Sequence, residues 1–78
     1  MQRDLEDDDW LRGQRQQIGR SIRAARERAD LTQERVFLAV PVSRNFYQQI
    51  EAGQANPSLN MLLAISRAIG VPIATLLR

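Results

Sequence analysis

The 78-residue chain has no cysteine and no histidine. Without cysteine there is no disulfide framework, zinc ribbon or thiol chemistry. Without histidine the commonest general base and the commonest metal ligand are missing. The acids form no clustered site, so neither an enzyme nor a metal, cofactor or small-molecule ligand is expected. No apolar run approaches the roughly 20 residues of a membrane span. The acidic opening MQRDLEDDDW has no apolar core and does not read as a secretory signal. A reducing cytoplasm is the expected setting. Lysine is absent too: all eleven bases are arginine, which reflects a GC-rich genome as readily as phosphate recognition.

What is present is one small domain. A core of this size is marginal, and self-association is a common remedy. The net charge of +2 conceals an asymmetry. Residues 1–9 hold five acids and one base, a net of −4, whereas the rest holds ten arginines and four acids, a net of +6. A basic body suits an anionic partner. Residues 1–13 read as an acidic, partly disordered tail and 14–78 as the folded domain. The tail has the wrong sign for an arm reaching round DNA. It is a solvated end, a screen for the basic surface or a contact for a protein partner. Trp10 and Leu11 would dock on the domain or on a second subunit.

The organising stretch is TQERVFLAVPVSRNFYQQIE, residues 32–51. Thr32 and Ser43 have the chemistry of helix caps, and Pro41 ends the first helix near Val40. Two short helices joined by a tight turn follow. At roughly 100° per residue, Phe46, Tyr47 and Ile50 share an apolar arc of the second helix. Arg44, Asn45, Gln48 and Gln49 share the opposite arc, which carries no acid. Arginine pairs with guanine, and asparagine or glutamine with adenine, through two hydrogen bonds each. A solvated face is the plainer reading of such an arc; three amides and one arginine favour base contact.

The marks Leu31-Thr32-Gln33-Glu34, Val42-Ser43-Arg44, Ile50-Glu51-Ala52-Gly53, Asn56-Pro57-Ser58-Leu59 and Ile69-Gly70-Val71 occur in order and without a gap. Over about residues 18–77 they resemble the Cro/phage-repressor type of helix-turn-helix domain, the XRE family. The resemblance implies an all-α, compact, five-helix lambda-repressor-like fold with 43–51 as the recognition helix. It implies DNA-backbone contacts from Gln33, Gln54 and Asn56, and a structural ion pair between Arg26 and Glu51. Free N–H groups at helix starts add Thr32 and Ser43 as backbone clamps. Two departures stand out: the family usually has a small residue at 37 and glycine at 41, where this chain has Phe37 and Pro41. Proline cannot reach the left-handed turn conformation, so the turn must be built differently. Phe46, at the edge of the apolar arc, is expected to pack with Phe37; a thymine methyl is its other option.

Elsewhere, a helix from about Gln14 to Ala29 follows from Ile18, Ile22 and Ala25, with Gly13 and Gly19 weakening its start. Gly53 fits a helix C-terminus. Ser58 caps a helix over 59–69, with Leu59, Leu62, Leu63, Ser66 and Ile69 expected toward the core. Met61, Ala64, Ile65 and Ala68 extend its apolar surface round the other side. A helix apolar nearly all round suggests a two-fold interface formed by Met61, Ile65, Ala68 and a last helix over 72–77, including Pro72 and Leu76.

The expected function is sequence-specific transcriptional regulation, a repressor or autoregulator binding a pseudo-palindromic double-stranded DNA operator as a homodimer. With no room for a sensing domain, regulation would come from dimerisation, expression level or a partner. The alternative is a protein-interaction module on the same scaffold, binding a partner such as a toxin or a transcription factor.

Overall fold

The computed structural model describes residues 8–78, and among these the chain forms five helices and no strand. They are α1 (Asp9–Arg28), α2 (Gln33–Ala39), α3 (Arg44–Glu51), α4 (Leu59–Ile69) and α5 (Ile73–Leu76). Expectations for residues 1–7 of the tail lie outside the described residues.

α1 begins at Asp9 and not near Gln14. The Asp8 side chain accepts the Trp10 N–H at 2.8 Å, and Asp9 adds negative charge to the first turn, where the helix dipole favours it. Trp10 therefore lies on a helix, two-thirds exposed, undocked on this chain's own core. The other caps follow one pattern. Thr32, Ser43 and Ser58 each accept an N–H three residues on, at 3.1, 3.1 and 3.0 Å. Each replaces one hydrogen bond that the helix cannot make internally.

Asp30 ends α1 in the left-handed region at φ 61°; its N–H donates to Glu27 and that of Leu31 to Arg26. The same paired closure ends α3, with Gly53 at φ 75°. Between α2 and α3 no residue enters the left-handed region. Val40 is extended, at φ −130° and ψ 158°, and the Val42 N–H donates back to the Val40 carbonyl at 2.8 Å. Pro41 thus makes the turn by a tight extended bend in place of a glycine.

The core joins Ile22 and Ala25 of α1, Val36 and Phe37 of α2, Tyr47 and Ile50 of α3, Leu62, Ile65 and Ile69 of α4, and Leu76 of α5. α1 packs on α3 and α5, α2 on α3 and α4, and α4 on α5. Each fully buried branched side chain contributes about 1.5–3 kcal/mol. The Ser21 hydroxyl ties α1 to the Arg78 carbonyl.

Three expectations change here. The buried arc of α4 is Leu62, Ile65, Ser66 and Ile69, whereas Leu59 and Leu63 are exposed. Ile65 and Leu76 are 0% exposed in the single chain, so neither is available to a dimer interface. Ile65 lies on the buried arc of α4, which packs on α2 and α5, and Leu76 lies on α5, which packs on α1 and α4. Phe46 is exposed, and the ring beside Phe37 is that of Tyr47, at 6.4 Å between centroids. One residue is 100° on an α-helix, which places Tyr47, and not Phe46, against α2.

Candidate nucleic-acid interface

α3 is held in place by a buried polar cluster. Arg26 donates from Nε to Glu51 Oε2 at 2.7 Å and from Nη2 to Glu51 Oε1 at 3.2 Å. Its Nη1 donates to the Leu31 carbonyl at 2.8 Å. Gln33 donates to Glu51 Oε1 at 3.0 Å, and the Tyr47 hydroxyl donates to Glu51 Oε2. The side chains of Arg26 and Glu51 are 10% and 4% exposed, so the pair is essentially out of water. Among the described residues no buried side-chain nitrogen or oxygen lacks a partner. α1, α2 and α3 therefore meet at one carboxylate.

Titration follows from this geometry. Burial pushes the Glu51 carboxyl up, but hydrogen bonds from Arg26, Tyr47 and Gln33 outweigh it and hold the group below the ordinary glutamate range. Burial, and then the bond to Glu51, push the Tyr47 phenol far above its ordinary value. The hydrogen bond to Glu51 raises the Arg26 guanidinium further.

From this anchor a second layer reaches the surface. Glu51 is ionised and can only accept, so Gln33 must turn its Nε2 inward. Its Oε1 then faces outward and accepts from Gln48 Nε2 at 3.4 Å. Gln48 keeps its own Oε1 and a second N–H. Beside it, Arg44 stands over the Phe37 ring, 5.3 Å from Cζ to centroid, with its Nη2 3.5 Å from Glu34 Oε2. Arg23, Gln33, Glu34, Phe37, Arg44 and Gln48 line one open concavity of about 680 Å³.

The residues picked out in the sequence fall into groups. Arg44, Asn45 and Gln48 are exposed on α3, and Gln49 is half-buried. Arg44, Gln48, Thr32 and Gln33 share the concavity. Thr32 and Ser43 are exposed, with their side-chain oxygens engaged as caps. Gln54 and Asn56 are exposed but lie apart from it; Asn56 borders a separate cavity of about 140 Å³ with Ile18, Ile50 and Leu62. Of the remaining interface candidates, Met61 and Ala68 are half-buried and Pro72 is exposed. Glu34, Phe37 and Tyr47 take part in the site without having been singled out for it. Tyr47 had a signal: it precedes Glu51 by four residues, one helical turn. Glu34 and Phe37 had none within α3, because they come from α2.

Two helices joined at 40–43, the second presenting an arginine and amides to solvent, form the helix-turn-helix element of a DNA-binding protein. Residues 22–76 match the family model described as helix-turn-helix. The chain belongs to that family, in its Cro/phage-repressor form. It is 32% identical over 59 residues to an immunity repressor protein of Bacillus phage phi105, an alignment covering 76% of this chain and 41% of that one. The chain thus spans less than half the length of this relative. No solved structure matches the chain significantly. No helix among the described residues is long and apolar enough to cross a membrane.

Proposed function

We propose that the chain is a transcriptional repressor domain that reads a pseudo-palindromic operator as a homodimer. The observation that carries this is the solvent-facing, acid-free set Arg44, Asn45 and Gln48 on a helix fixed by a buried ion pair. α3 would enter the major groove, and a second copy would place its own α3 about 34 Å away, one helical turn on. Arg44, Asn45 and Gln48 would read base edges, with half-buried Gln49 at the margin. Thr32, Gln33, Ser43, Gln54 and Asn56 would hold the backbone. A regulator of this kind works beside the nucleoid in the cytoplasm and needs no cofactor. Dimerisation through the C-terminal helices would use the accessible Met61, Ala68 and Pro72.

Selection of duplexes from a random library at near-physiological salt tests the reading. A two-fold motif with half-sites one turn apart is the expected result. Recovery of no motif, with weak binding only, would overturn it. On a selected site bearing its guanine, loss of Arg44 should cost about 1–3 kcal/mol, and much less on random DNA.

A second reading is a protein-binding module. Trp10 and Leu38, 66% and 74% exposed, favour it. The slope of affinity against salt separates the two, because steep dependence requires phosphate contacts.

A further inference from the structure

We propose that Glu34 is a specificity-determining residue that holds Arg44 in register for guanine, an inference that rests on the base-reading role of Arg44. Arg44 is the first residue of α3. A cation there opposes the helix dipole and has no reason of its own to stay. Two groups of α2 seat it. The Phe37 ring, nearly buried against Tyr47, lies 5.3 Å below its guanidinium carbon. The Glu34 carboxylate lies 3.5 Å from Nη2. Glu34 and Phe37 are three residues apart, so they stand side by side on one face of α2. The ring thus supports the guanidinium carbon, and the carboxylate holds one of its terminal nitrogens.

This seat leaves the reading edge open. A guanidinium has five N–H groups, and Nη2 supplies two of them. Glu34 takes one. The other still points along an edge with a neighbouring N–H, the fork that guanine O6 and N7 require. The pair therefore survives in the complex. Its further effect is on wrong sequences. Without Glu34, Arg44 is free to swing to the nearest phosphate, which gives affinity without sequence information. Glu34 also keeps a negative charge beside Thr32 and Gln33, where the backbone passes, and so weakens every non-specific encounter.

The test compares the wild-type chain, Glu34→Gln, Arg44→Gln and the double variant. Each is titrated with the selected operator duplex and with a scrambled duplex at one salt concentration, and each is used to repeat the selection. Glu34 is exposed, so its replacement leaves the core untouched. The expected result for E34Q is scrambled-duplex binding tightened about 3–10-fold, with a smaller gain on the operator, so that discrimination falls about threefold or more. The guanine preference in the selected motif weakens as well. In the Arg44→Gln background the same change shifts both duplexes equally. Equal tightening of both duplexes in the presence of Arg44, with the guanine preference intact, would reduce Glu34 to a simple surface charge and overturn the proposal. A wild-type chain that selects no motif would overturn the operator reading itself, a separate outcome read from the first arm alone.

Discussion

Gly19 of α1 lies so close to the end of α3 that a Cβ added to it would stand 2.4 Å from the Glu51 carbonyl oxygen. The Ile50 carbonyl oxygen would be 2.7 Å away. Both obstacles are backbone, so nothing flexible can yield. Gly13, in the same helix, has nothing within 4 Å of that position. The two glycines therefore predict opposite results. Gly13→Ala should stabilise the fold by about 0.5–1 kcal/mol, the ordinary helix-propensity gain. Gly19→Ala should destabilise it by about 1–3 kcal/mol, because helix packing must open. Urea unfolding midpoints of the two variants decide this; a shift of the same sign in both would refute it.

The buried pair makes a larger prediction. Arg26→Ala leaves the Glu51 carboxylate buried without its main partner, and breaking such a pair typically costs about 3–5 kcal/mol. A small domain has about 5–15 kcal/mol in all. Arg26→Ala should therefore lower the melting temperature far more than Arg23→Ala, whose partner Glu27 is exposed. Comparable melting temperatures would mean that the pair is not what holds α1 to α3.

Acid should act through the same carboxylate. Glu51 titrates below the ordinary glutamate range when folded. The unfolded chain therefore binds its proton at a higher pH than the folded one. Its contribution is complete above the ordinary glutamate range and is lost as pH falls through the depressed folded value. Stability measured from pH 7 downward should hold and then drop in that acid window, and Glu51→Gln should flatten this part of the curve. Tyr47 is displaced upward and keeps its proton, so it adds no slope near neutrality.

How much of this is legible in the sequence varies with the physics. The caps Thr32, Ser43 and Ser58 are local chemistry and can be read from one residue and its neighbours. The early part of α1 is hidden, because glycine has a low helix propensity and the reason for Gly19 lies on another helix. The phase of α4 is hidden for the opposite reason. Its residues are apolar nearly all round, so hydropathy offers no contrast, and only packing against α2 and α5 selects Ile65 over Leu59 and Leu63. Arg26 and Glu51 are 25 residues apart, and no periodicity joins them; a family resemblance suggests the pair where spacing does not. A helical wheel treats α3 alone and so misses Glu34 and Phe37, which reach Arg44 from α2.

Asp30 offers a stability gain. It occupies the left-handed position closing α1, where a side chain is strained and glycine is not. Asp30→Gly should raise stability by up to about 1 kcal/mol. It also removes a negative charge from the C-terminal end of the helix, where the dipole disfavours one. Thermal melts at two salt concentrations separate the causes: the backbone part stays, and the charge part shrinks with salt.

The base that Gln48 would read follows from its hydrogen bonds. The order of donors is set from inside outward. Glu51 accepts, Gln33 donates to it, and Gln48 donates to Gln33. Gln48 is left with a carbonyl oxygen and one N–H, side by side. That pair matches adenine, which offers an N6 donor next to an N7 acceptor, and it mismatches guanine, which offers two acceptors. The operator should therefore carry adenine at the position lost when Gln48→Ala is put through selection, at a cost of about 1–3 kcal/mol. Gln33→Ala should weaken the same preference without changing the base, since it releases the Gln48 amide to rotate. Glu51→Gln should do so too, because an amide at 51 can present either an acceptor or a donor to Gln33. A guanine at the Gln48-dependent position, or a preference indifferent to Gln33→Ala, would break this chain of inference at its second link.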